Sequence, residues 1–330
     1  MFMAKQLRRL WSGGQLGSTA CSVIGACCAI FALSPWLITG MRLPLQNLWA
    51  TNTLPGDMPF ALLPFNQYAL GSLTGLIILP YALISLLIRV LESQRVRVNG
   101  QIMAATVATF QLFAIIQSTI VVLNGVQRNR AGRAYVGIMF SALVLMVLCG
   151  LVVYWLLRRP GHPTGMVGVA IIAAPLVSWL TSFTRVTIFP TIGLPSYFRN
   201  LWGPLQITAS GIWLIVLGLI PAIMIGAAIG IIGVRTLAAK LVALLALFLG
   251  WLIPGFYALV AMVEGNRVYW GMPGESVAAG VAAFRSQLFS VELSLIPAII
   301  SLLIAGIIIG VKALSRNRPD AEVTQSISEG

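Results

Sequence analysis

The chain has 330 residues, of which 58% are hydrophobic and only 9% charged, whereas a soluble domain carries roughly 25% charged residues. So few charges cannot clothe a water-facing surface, which excludes a soluble globular fold and makes lipid the solvent for most of the chain. The formal net charge of +13 would suit nucleic acid, but the Lys and Arg sit in short caps between apolar runs, as membrane topology requires, and nucleic-acid binding is set aside on that ground.

The chain opens on MFMAKQLRRLW, and a first apolar run follows at 17–39. IGAC (24–27) has the look of a lipoprotein cleavage box, yet the apolar stretch continues through AIFALSPWLI. The run therefore reads as a retained first spanning helix. Seven more runs approach the 20 residues a spanning helix needs, at 69–90, 103–124, 135–157, 166–184, 207–233, 236–263 and 290–312. Pro80, Pro221 and Pro254 fall inside the second, sixth and seventh, where a proline kinks a helix that neighbours support. Between the last two runs, SVAAGVAAFRSQLF (276–289) sets Val277, Val281, Phe284 and Leu288 on one face, the pattern of a helix lying in the interface. The end, 315–330, is polar and reads as a disordered cytoplasmic tail.

Thirteen Lys and Arg fall on the N-terminal side of these runs and eight on the other. That bias predicts both termini in the cytoplasm of a cell (plasma or inner) membrane.

The order of landmarks predicts a chain built twice. WLITGMRL (36–43) and WLTSFTRV (179–186) each end a span with Trp-Leu and an Arg six residues after the Trp. LPLQNLW (43–49) is answered by LPSYFRNLW (194–202), the ILPYAL around Pro80 by the LIPAIM around Pro221, and RAYVG (133–137) by RVYWG (267–271). The fold class expected is an all-α polytopic integral membrane protein with about eight transmembrane helices as two tandem four-helix repeats, 1–160 and 161–314. An even number of spans per repeat puts the pseudo-twofold axis along the membrane normal.

The absences limit the chemistry. Asp, Glu and His do not occur in the middle of any run, which argues against carboxylate proton coupling and intramembrane proteolysis. Neither H-E-x-x-H nor G-x-S-x-G is present. The four cysteines lie in apolar runs with no C-x-x-C pair, and His162 is a loop residue, so neither metal nor cofactor is expected. Among the runs' polar residues, Gln111, Gln117 and Ser118 form the densest group, either bonding between helices or lining a path. Gly71 and Gly75, Gly226 and Gly230, and Gly306 and Gly310 each form a G-x-x-x-G packing face.

The matched landmarks supply the remaining candidates: Arg42, Arg133, Arg185 and Arg267, with Tyr135, Tyr269, Trp49 and Trp202, all on the outer side. They read as an interfacial belt, or as arginines converging on an anionic lipid headgroup, since guanidinium pairs bidentately with phosphate. The functional expectation is a permease-like or transporter-type multi-pass protein, the membrane subunit of a larger complex with a partner ATPase or other membrane subunit. The alternative is a non-catalytic accessory or scaffold protein that binds anionic lipid or a partner membrane protein through its outer face. An enzyme is not expected.

Overall fold

In hydrocarbon a backbone N–H or C=O has no water to bond, so an apolar chain must satisfy these groups within helices. The computed structural model describes residues 11–12, 15–43, 49–50, 57–66, 69–159, 161–187, 216–265, 272–290 and 295–316. These fold almost wholly into helices: α1 (Ser18–Ala32), α2 (Ser34–Ile38), α3 (Leu70–Ser93), α4 (Gly100–Gly125), α5 (Arg130–Arg158), α6 (Thr164–Thr187), α7 (Val216–Ile232), α8 (Leu237–Gly265), α9 (Pro273–Phe289) and α10 (Ile296–Arg316). Ahead of them, β1 (Trp11–Ser12) and β2 (Gln15–Leu16) form a small antiparallel hairpin.

Six of the described helices are long and apolar enough to cross a membrane: α3, α4, α5, α6, α8 and α10. The protein is thus a multi-pass membrane protein. Helices α1 and α7 are shorter apolar elements. The run at 17–39 is broken at Leu33 because Pro35 has no N–H to donate and must stand in the first turn of a new helix, α2. Asparagines start two helices. The Asn99 side chain accepts from the Gln101 and Ile102 amides at 3.2 and 3.3 Å, and that of Asn129 accepts from Gly132 at 2.7 Å. At the other end of a helix, Lys312 of α10 donates to the carbonyls of Gly230 and Ile231, at 3.2 and 2.6 Å, where α7 finishes.

Helix α3 is the most buried span, with 61% of it buried, while α10 has 11% buried and leaves most of its surface uncovered by the described residues. Large apolar side chains point outward around the bundle, among them Phe113, Ile138, Leu145, Leu244 and Ile307. Such a girdle is untenable in water and ordinary in lipid. A large core runs from Cys21 to Trp179, and a smaller second one joins Met166 and Ala170 to Ile225, Ala243, Ala246 and Ala305.

The helices pair in a recurring way. Gly25 of α1 lies against Met103 and Thr106 of α4, and Tyr81 of α3 lies against Gly150 of α5. In the later part, α6 packs on α8, while Gly226 and Gly230 of α7 lie against Ser301, Ile304 and Ile308 of α10. Close approach of this kind needs a residue without a side chain. Of the other two glycine pairs, Gly75 sits tightly against Pro175 and Trp179, Gly71 only grazes Ser178, and Gly306 and Gly310 have no other part of the described chain within 4 Å of their Cβ positions.

One expectation is corrected. Helix α9 does not lie flat in the interface but runs antiparallel along the second half of α8. Gly280 meets Leu259 and Val263, Phe284 stacks edge-on against Phe256 with centroids 5.3 Å apart, and Trp251 donates through Nε1 to the Leu288 carbonyl at 3.0 Å. The reason is that Gly255 and Gly280 leave room for the two helices to touch. Val277 stays exposed, so the contacting face is the one through Gly280, Phe284 and Leu288.

Candidate functional site

Two polar constructions stand out in a bundle that is otherwise apolar. The first is a docked loop. Residues 57–66 connect α2 to α3, and Ala61, Leu63 and Phe65 are fully buried over the ends of α1, α4 and α5. Irregular backbone at that depth must have its polar groups answered by protein, and here they are. The Gln117 Oε1 accepts from the Leu62 amide at 2.9 Å while its Nε2 donates to the Phe60 carbonyl at 3.2 Å. Ser118 Oγ accepts from the Leu63 amide at 2.8 Å, and Trp36 Nε1 donates to the Ala61 carbonyl at 2.8 Å. The Ala61 amide donates to Met41 and the Leu43 amide to Pro59, both at 3.0 Å.

Most of the described landmark residues belong to this construction. Arg42 bridges to Phe60 in the backbone and donates through Nη1 to the Met58 carbonyl at 2.9 Å. Trp49 bridges to Val126 and lays its ring on Gly125. Tyr135 is buried beneath the loop, its hydroxyl 3.5 Å from the Phe65 carbonyl and its ring edge-on to Phe65 at 6.4 Å. Arg133, two residues earlier in the first turn of α5, is exposed instead. Arg185 ends α6, with its side chain outside the described residues, where Arg267, Tyr269 and Trp202 also lie. Gln111 is used differently. Its Nε2 donates to the Ile77 carbonyl at 2.6 Å, one residue beyond the carbonyl that Pro80 leaves without its helical donor. Its Oε1 is buried and has no hydrogen-bond partner among the described residues.

The second construction is a seam of hydroxyl groups between α3, α6 and α8, which sequence reasoning did not single out. Ser72 and Ser182 hydroxyls meet at 2.7 Å, and the Tyr257 hydroxyl donates to Thr74 Oγ1 at 2.6 Å. Thr74 in turn donates to Gly71, and Ser182 to Ser178, within their own helices. Trp179 stacks on Phe183 at 5.2 Å and donates to the Ala32 carbonyl at 2.7 Å, tying α6 to the end of α1. All three helices contain a proline: Pro80, Pro175 and Pro254. Each removes one internal hydrogen bond and invites a bend. A signal was available in the sequence: Ser72 and Thr74 lie inside the GSLTG stretch, and Ser178, Thr181 and Ser182 follow the spacing of one helix face.

The polar residues that meet at the seam are all uncharged. A separate cavity of about 70 Å³ opens between α7, α8 and α10, where Pro221, Pro254, Pro297, Trp251 and Ser301 come together. Among the described residues no group of three His, Cys, Asp or Glu could hold a metal ion, and all four cysteines are free. His162 takes part in the turn before α6, its Nδ1 2.8 Å from Thr164 Oγ1. Compared with known proteins, the chain matches no protein-family model, no curated protein and no solved structure.

Proposed function

We propose that this multi-pass membrane protein is permease-like, with two tandem four-span halves, 1–160 and 161–314, that meet along the hydroxyl seam. In this reading α1 with α2 is the first span and α7 the sixth, giving eight with both termini cytoplasmic. The recurring pairs support it, since the first helix of each half packs on its third (α1 on α4, α6 on α8) and the second on its fourth (α3 on α5, α7 on α10).

The observation that carries the functional reading is the seam itself. Three proline-bearing helices cross there, joined by hydroxyl bonds that a modest displacement would break. Transporters built from repeats bind substrate at the interface between halves. A seam of uncharged hydroxyls suits a small neutral solute that exchanges hydrogen bonds with Ser72, Thr74, Ser182 and Tyr257. With no carboxylate to couple protons, energy comes from the solute gradient or a partner ATPase.

The test is a Ser72→Cys, Ser182→Cys pair reconstituted in liposomes. The parent hydroxyls are in contact, so the thiols are in reach of oxidation. Swelling in glycerol or urea should be fast with the reduced protein, stop on oxidation and return with dithiothreitol. Swelling that is no faster than in protein-free liposomes overturns the reading. The accessory reading has one observation of its own: Gly306 and Gly310 face nothing in the described chain, leaving that side of α10 for a partner subunit, which copurification would reveal.

A further inference from the structure

At the end of the bundle where α3 and α5 finish and α6 begins, three arginines gather. Arg89 stands one turn before the end of α3, and Arg158 and Arg159 close α5. The Arg89 Nη2 donates to the Arg159 carbonyl at 3.2 Å, which answers one of the carbonyls a helix end leaves open. Its Nε is buried and has no hydrogen-bond partner among the described residues. Among the described residues no carboxylate pairs with Arg89, and Glu92, one turn further on, is exposed. With its Nε closed off from the surface, Arg89 offers its terminal nitrogens to an anion from outside, where a charge-assisted bond is strong.

The surroundings fit an anion with a tail. Gly165 in the first turn of α6 brings no side chain, and a Cβ there would stand 3.7 Å from Arg89 Nη2. The electropositive end of α6 therefore adjoins the guanidinium. His162 and Thr164 shape the turn that leads into α6, the His162 Nδ1 lying 2.8 Å from Thr164 Oγ1. Arg159 holds its guanidinium 5.3 Å from the centre of the Trp155 ring. Running from this cluster along the outside of the bundle are exposed Leu86 and Val90 of α3, with Leu86 a turn from Arg89 on the same face, and Val152 and Trp155 of α5.

We propose that this corner binds the phosphate of an anionic membrane phospholipid, held by Arg89 with Arg158 and Arg159 around it, its acyl chains lying along Leu86, Val90 and Val152. The apolar strip beside the cluster is what selects a lipid over a free anion. Guanidinium clusters at the ends of spanning helices are suited to such headgroups.

The experiment is a melting titration of the purified protein in detergent with phosphatidylglycerol, phosphatidylcholine or inorganic phosphate. Phosphatidylglycerol should raise the melting temperature of the wild type, and phosphatidylcholine and millimolar inorganic phosphate should not. Arg89→Gln should weaken the phosphatidylglycerol midpoint by about tenfold or more, the scale of a lost charge-assisted bond. Arg285→Gln, an equal loss of charge on α9, should leave it within about twofold. Because Arg89 also caps α5, Arg89→Lys serves where the glutamine variant does not fold, and it should weaken binding by a smaller factor. A midpoint equal to that of the wild type in whichever Arg89 variant folds refutes the site. Stabilisation by inorganic phosphate equal to that by phosphatidylglycerol refutes the lipid as occupant.

Discussion

The docked loop can be released by two side chains. Gln117→Leu removes the acceptor of the Leu62 amide and the donor to the Phe60 carbonyl, and Ser118→Ala removes the acceptor of the Leu63 amide. Three bonds go while Leu63 and Phe65 keep their apolar burial. Hydrogen bonds inside membrane proteins average about 0.6 kcal/mol, and buried groups left unpaired cost roughly 1–3 kcal/mol each in soluble hosts. The double variant should therefore lose about 2 kcal/mol of loop docking at the lower figure, which is roughly a thirtyfold rise in the open population. Hydrogen exchange reads this directly, because opening exposes the amides of Ala61, Leu62 and Leu63 together. Their exchange should accelerate about thirtyfold or more while the amides in the middle of α4 keep their rates. Ser118 Oγ also lies 3.3 Å from Gln117 Oε1, so the two single variants should not add. Exchange of the loop amides within about twofold of the wild type would refute the idea that these side chains hold the loop.

Gln111→Met should be nearly neutral, or stabilising by up to about 1 kcal/mol, because the lost bond to Ile77 is offset by removal of an unpaired buried oxygen; a melt showing a loss above about 2 kcal/mol would contradict that account. Gly75→Leu should cost about 1–3 kcal/mol or more by forcing α3 away from Pro175 and Trp179. Gly306→Ala and Gly310→Ala, with open space around them, should each raise helix stability by roughly 0.5–1 kcal/mol, and light scattering of the purified protein should give an unchanged mass. Tyr257→Phe should weaken the seam by about 0.6 kcal/mol and at most about 1.7 kcal/mol, read from unfolding in mixed micelles; no change at all would mean that the bond to Thr74 contributes nothing.

Much of this fold is legible in the sequence because lipid makes apolar length an almost sufficient signal. Runs such as 69–90 and 236–263 correspond to α3 and α8 within a few residues. What composition cannot convey is where a polar group goes once the helices pack. Gln117, Ser118 and Gln111 sit together on α4 in the sequence, yet two bind a loop more than fifty residues away and the third a proline-bearing neighbour. RAYVG looks like one polar corner, but Tyr135 turns inward and Arg133 outward because successive helix positions face about 100° apart. The hydroxyl seam was harder still to see, since a serine in a span is cheap and is visible only through its partner on another helix. The α9 error has the same root: amphipathicity told which residues seek burial and not what would bury them.

In the proposed two-half reading, motion has an uneven cost across this molecule. The first part is held by the shared core from Cys21 to Trp179 and by a loop whose backbone is bonded at five or more points. By contrast, α8 and α10 have only 17% and 11% of their spans buried, and the later core is small. Two hydroxyl contacts cross the seam, and at about 0.6 kcal/mol each they oppose displacement only weakly. The stiffer resistance is steric, where Gly75 receives Pro175 and Trp179. Helix α6 packs on α3 and α5 on one side and on α8 on the other, and its Pro175 lies at the point of closest approach. In that reading a shift of α8 to α10 against α1 to α5 would pivot on α6. Replacing Pro175 with alanine, which restores the missing hydrogen bond, should therefore slow any solute flux more than it alters stability. A Pro175→Ala variant with unchanged flux and an unchanged melt would mean that α6 is a passive spacer.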